Sequence, residues 1–138
     1  MVPQDYRLVF EAPSADDYRR LRAAAGLSPK SRQAAEAGLP NTLFGVTLYH
    51  SATAVGMGRL VGDGGLFYQL VDIAVEPAHQ GRGLGKAIVA ALVDHVRAVA
   101  PAGAYVSLIA DGEAARLYAR FGFEPTAPES IGMAFTVK

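Results

Sequence analysis

A chain of 138 residues, 51% hydrophobic and 19% charged, is sized for one globular domain and can bury a core without staples. Thirteen basic residues balance thirteen acidic ones, so no net positive field recruits nucleic acid; the lack of cysteine excludes disulfides, thiolate metal sites and a cysteine nucleophile. The apolar stretches are broken by Gly, Asp or Arg well short of the roughly 20 residues a membrane span needs, and Met1-Val2-Pro3-Gln4-Asp5-Tyr6-Arg7 has no signal-peptide pattern, so a cytoplasmic protein with no membrane partner is expected.

Tyr6 to Phe10 reads as a first strand. Ser14 followed by Asp17 makes a capping box, after which Tyr18, Leu21 and Ala25 recur at helical spacing until Gly26. Ser28-Pro29 restarts a helix that Gly38 and Pro40 end. Three strands follow: Leu43 to His50, Thr53 to Val61 and, beyond the turn Asp63-Gly64-Gly65, Leu66 to Val75. The last of these is apolar on both faces toward its end, as a central buried strand would be. Gly85 to Val99 carries the stripe Leu84, Ile88, Leu92 and Val99 opposite Lys86, Asp94 and Arg97. Ala104 to Ala110 is a further strand, Ala114, Leu117, Tyr118 and Phe121 mark a short helix, and Ile131 to Val137 is expected to close the sheet. The order β-α-α-β-β-β-α-β-α-β gives a single α/β domain over residues 1–138, a mixed and largely antiparallel sheet flanked by helices.

Between the central strand and the long helix lies Gln80-Gly81-Arg82-Gly83-Leu84-Gly85-Lys86. Glycines allow close backbone approach and positive φ, and a helix start presents unpaired N–H groups, so this is an anion-binding design. It is not a phosphate loop of the Walker type, because Gln80 stands at the first glycine and Ala87 at the magnesium-binding hydroxyl. It is not a dinucleotide fingerprint, because the third glycine comes one residue early. Gln80, Gly83 and Gly85 do satisfy the pattern Gln/Arg-x-x-Gly-x-Gly/Ala. A bulge or packing role suits Gly56 and Gly58. His50, His79 and His95 have no metal-ligand spacing, and His79 stands just before the loop.

With Val75-Glu76-Pro77 ahead of that loop and Leu117-Tyr118-Ala119-Arg120-Phe121-Gly122-Phe123 behind it, the sequence resembles the GNAT superfamily of acetyl-coenzyme A-dependent N-acetyltransferases. The resemblance implies acetyl-coenzyme A as cosubstrate and no metal. It implies a pyrophosphate seat over Gln80 to Lys86, and backbone groups of Ile73 and Val75 freed for the pantetheine arm by splayed strands. Tyr118 matches the tyrosine that protonates the departing thiolate. Asp111 stands where the family has an asparagine that contacts the cofactor. The acceptor would be a primary amine of a small molecule that attacks the thioester directly, and a homodimer is common in such proteins. The alternative is a non-catalytic acyl-coenzyme A-binding module.

Asp72, a carboxylate inside an apolar strand, is a candidate base because burial would raise its pKa and so its affinity for a proton. It could instead hold a loop through hydrogen bonds, with Glu76 or water serving as the base.

Overall fold

In a computed structural model residues 2–138 are described, and the chain divides into two compact units, one ending at Leu108 and one from Ile109 to Lys138. The first holds a five-stranded sheet in the order β1 (Tyr6–Val9), β2 (Phe44–His50), β3 (Thr53–Gly62), β4 (Phe67–Val75) and β5 (Tyr105–Ser107). The first four strands pair antiparallel, and β5 joins β4 in parallel.

Helix α1 (Ala15–Ala24) starts as its capping residues dictate, with the Ser14 hydroxyl accepting from the Asp17 amide. Helix α2 (Arg32–Gly38) starts later than Ser28-Pro29 suggests. Ser31 caps it, while the Ser28 hydroxyl and carbonyl accept from the Arg22 guanidinium and so stay out of the helix. The Asp63 carboxylate accepts from the amides of Gly65, Leu66 and Phe67, closing the β3–β4 turn and lowering its pKa.

Helix α3 (Leu84–Val99) lies on β2, β3 and β4. Leu84, Ile88 and Leu92 are at most 2% exposed, which stabilises by about 1.5–3 kcal/mol each, whereas Val99 ends the stripe in solvent at 54%. The contact is close because β3 carries Gly58 there: a Cβ would stand 2.6 Å from Ile88 Cγ2 and 3.0 Å from Leu92 Cδ1. Gly58 faces both Asp72 and Ile73, since the register runs from Arg59–Val71 to Met57–Ala74. This is a β-bulge, and Asp72 takes φ +60° within it.

The second unit holds a turn at Gly112–Ala114 and helix α4 (Ala115–Ala119). Gly122 ends the helical turn with φ +93°. The expected closing strand does not form: no strand covers Ile131 to Val137, and Ile131, Met133, Phe135 and Val137 are 70–89% exposed. Alternation specifies a strand face but supplies no neighbour to pair with. Likewise the strand expected from Ala104 to Ala110 keeps only Tyr105–Ser107.

Candidate functional site

Strand β5 pairs with β4 only at Phe67–Tyr105, Tyr68–Val106 and Gln69–Ser107. From Leu70 to Val75 the same side of β4 has no strand partner among the described residues. The amide of Glu76 bonds the Val55 carbonyl at 2.8 Å on the other side, so alternation along an antiparallel pair turns the N–H and C=O of Val75 toward the open edge. Ile73, two residues back and beyond the bulge, lies on that stretch as well.

The glycine loop begins where this edge ends. Gln80 follows a tight turn over Pro77–His79, and its side-chain amide donates to the Val75 carbonyl at 2.9 Å. Gly81 and Gly83 have φ +81° and +77°, a region other residues enter at a cost, and Gly83 forms the N-cap of α3. A Cβ at Gly81, Gly83 or Gly85 would meet nothing within 4 Å, so the loop borders open space. Leu84 is buried and anchors the helix start, whereas Lys86 is exposed. Arg82 reaches back to β1, its guanidinium donating to the Tyr6 hydroxyl at 2.6 Å.

Behind the open edge lies a buried ionic cluster. Asp72 Oδ1 accepts from Arg22 Nη1 at 2.6 Å and from the Tyr18 hydroxyl at 2.9 Å, and Oδ2 accepts from Arg59 Nη1 at 2.8 Å. The three charged side chains are 6–11% exposed. The remaining donors of Arg59 reach the Thr42 hydroxyl and the Gly38 carbonyl, as those of Arg22 reach Ser28. Every arm of both guanidiniums is therefore used. Glu76 pairs with Arg20.

In the second unit, Tyr118 is half-buried and packs edge-on against Phe123 with centroids 6.2 Å apart. Burial and, secondarily, the charge of Asp111 push its hydroxyl pKa up. Asp111 is exposed, and its carbonyl accepts from the Ala114 amide at 3.1 Å.

A sequence model of the acetyltransferase (GNAT) domain matches residues 43–125, more than half of the chain and across both units. The chain belongs to the GNAT acetyltransferase family. Its fold superposes with TM-score 0.92 on SA2161 of meticillin-resistant Staphylococcus aureus, a protein of unknown function called a probable acetyltransferase; the two are 47% identical over 96% of this chain and 99% of that one. The GNAT family protein SP0256 of Streptococcus pneumoniae shares the fold at TM-score 0.76 and 23% identity, over 96% of this chain and 98% of that one. GCN5-related N-acetyltransferase 2, chloroplastic, of Arabidopsis thaliana is 38% identical over 78 residues, 56% of this chain but 29% of its own length. The chain thus spans less than a third of that curated relative.

GNAT acetyltransferases use acetyl-coenzyme A in general, and the loop and edge fit such a ligand: uncrowded glycines at a helix start, next to a strand with one side open. The fold brings Ile73, Val75 and Gln80 to Lys86 to one rim of the sheet. What sequence reading missed is the set of partners gathered by distant segments, namely Tyr6 on the loop and Tyr18, Arg22 and Arg59 around Asp72. Arg59 inside an otherwise apolar strand was the available signal, since a buried cation requires a buried anion. Among the described residues no helix is long and apolar enough to cross a membrane.

Proposed function

We propose that the protein transfers an acetyl group from acetyl-coenzyme A to a primary amine of a small molecule. The observation that carries this is the continuity of the open β4 edge, Leu70 to Val75, with the glycine loop at the start of α3. The cosubstrate supplies a thioester, whose acetyl carbon forms a bond to the amine nitrogen as its bond to sulfur breaks. The residues of the chain bind, orient and protonate. Backbone N–H groups of Gly81 to Lys86 and the positive end of the α3 dipole hold the diphosphate. Ile73 and Val75 hold the pantetheine arm as an added strand would be held. Tyr118 gives its proton to the departing thiolate. Asp111, which replaces an amide with a carboxylate, contributes through its charge on Tyr118.

For Asp72 the bonds support positioning over proton abstraction. Three donors already occupy its carboxylate, so it fixes α1 and β3 to β4, and water takes the ammonium proton. The exposed alternating residues from Ile131 to Val137 support a homodimer.

The test is a panel of small amines with acetyl-coenzyme A, reading free thiol, alongside calorimetry on the wild type and Gly83→Glu. Thiol release with at least one amine is expected. Gly83→Glu should abolish coenzyme binding by placing negative charge and a strained residue in the diphosphate seat. Normal affinity in the folded variant refutes the assignment. Tight binding without turnover across the panel would favour the non-catalytic module.

A further inference from the structure

Three groups around the loop lie outside the reaction described above: Tyr6, His79 and His50. The Tyr6 hydroxyl receives the Arg82 guanidinium at 2.6 Å and stands 2.7 Å from His79 Nδ1. The Tyr6 ring is buried, 6% exposed, with the His79 ring edge-on at 5.6 Å and the His50 ring at 5.0 Å. His50 in turn lies 3.3 Å from the Asp5 carboxylate. We infer that Tyr6 and His79 are positioning residues for Arg82, and that they hold the glycine loop in the shape that receives the diphosphate of the coenzyme. The inference rests on the reading that this loop takes acetyl-coenzyme A.

A loop with glycines at 81, 83 and 85 loses much backbone freedom when it is ordered. None of the three glycines packs: a Cβ at any of them would lie in open space. Two side-chain hydrogen bonds tie the loop down instead. Gln80 fastens it to the end of β4, and Arg82 fastens it to β1, 76 residues away in sequence. The tether to β1 is the charge-assisted one and is therefore the stronger.

Its geometry also allows one directed chain of protons. A tyrosine hydroxyl has one hydrogen to give and two lone pairs to accept with. Arg82 can only donate, so the Tyr6 hydroxyl accepts from it, and its own hydrogen is free to go to His79 Nδ1 when that nitrogen is unprotonated. His79 then carries its hydrogen on Nε2. The chain Arg82 to Tyr6 to His79 polarises in one direction, which strengthens each bond in it. Arg82 is thereby presented at a set place beside Gly81 and Gly83 before any ligand arrives. That preorganisation removes part of the ordering cost of binding.

Tyr6→Phe keeps the buried ring and removes only the hydroxyl. Calorimetry should show acetyl-coenzyme A binding about five- to tenfold more weakly, the scale of the net worth of one hydrogen bond. Binding of S-acetylpantetheine, which lacks the diphosphate, should not change, nor should kcat at saturating coenzyme. In the Arg82→Ala background, Tyr6→Phe should weaken binding by less than about twofold, because the partner it positions is gone. His79→Ala serves as a second variant that leaves β1 intact, with about two- to threefold weaker binding of acetyl-coenzyme A. Nitrogen-15 spectra should show an unprotonated Nδ1 on His79 in the wild type and loss of that preference in Tyr6→Phe. Unchanged affinity in Tyr6→Phe, equal losses for both ligands, or losses that multiply with Arg82→Ala would overturn the inference. Failure of the wild type to bind acetyl-coenzyme A at all would instead bring down the functional reading on which it stands.

Discussion

Tyr118 and Tyr18 both hold their protons more tightly than a free tyrosine, from different surroundings and with different consequences. For Tyr118 the cause is burial followed by the negative charge of Asp111, so the hydroxyl is a donor throughout the neutral range. Tyr118→Phe should lower turnover about 10²-fold or more while coenzyme affinity stays the same, in steady-state kinetics with a working acceptor. Equal turnover with chemistry rate-limiting would leave the residue a packing role. For Tyr18, burial comes first, then the charge of Asp72 and the hydrogen bond to it, which together push the hydroxyl up to about 12. An unfolded tyrosine titrates near 10. The fold therefore favours the protonated phenol, and the stability that follows is complete below pH 10 and lost as pH rises through about 12. Urea unfolding across that window should show a downward slope in the wild type that Tyr18→Phe reduces. Identical slopes in the two proteins would reject the assignment.

At the scale of elements, the Asp72 cluster joins four segments that sequence order keeps apart. Arg22 comes from α1, 50 residues before Asp72, and Arg59 from β3, 13 residues before it. Through Ser28, Gly38 and Thr42 the same guanidiniums hold both ends of α2. Asp72→Ala leaves two buried guanidiniums without a counter-charge and should cost about 3–5 kcal/mol in urea unfolding. A folded, stable Asp72→Asn protein that has lost turnover would instead restore Asp72 to proton transfer. This contrast shows what was legible in the sequence. The glycine loop and α3 could be read because their information is local: glycine spacing, a strand before, an apolar stripe after. That Gly58 marks a bulge or packing position could be read, but not that the extra residue opposite it is Asp72 or that Arg22 and Tyr18 meet it, because those pairings join distant strands and helices. The start of α2 was misplaced for a similar reason, since the Ser28 groups are claimed by Arg22 and not by the helix.

On the scale of the whole molecule, the tail is where pattern and structure part. Ile131, Met133, Phe135 and Val137 alternate as a strand does, yet they lie 70–89% exposed. Burying side chains of this kind is worth about 1.5–3 kcal/mol each, which favours covering them with a second copy of the chain. Sedimentation at micromolar concentration should give a dimer for the wild type and a monomer for Phe135→Lys. A monomeric wild type would reject the dimer. The unpartnered length of β4 has a different consequence, which concerns the protein in storage and in the cell. A strand with one free side is a template for any extended chain, its own denatured neighbours included. Under the function proposed above, a coenzyme adding along it would act as a cap as well as a reactant. Amide hydrogens at Ile73 and Val75 should exchange quickly with solvent in the free protein and slowly in the complex. Warmed without ligand, the protein should turn turbid sooner than the same protein kept saturated.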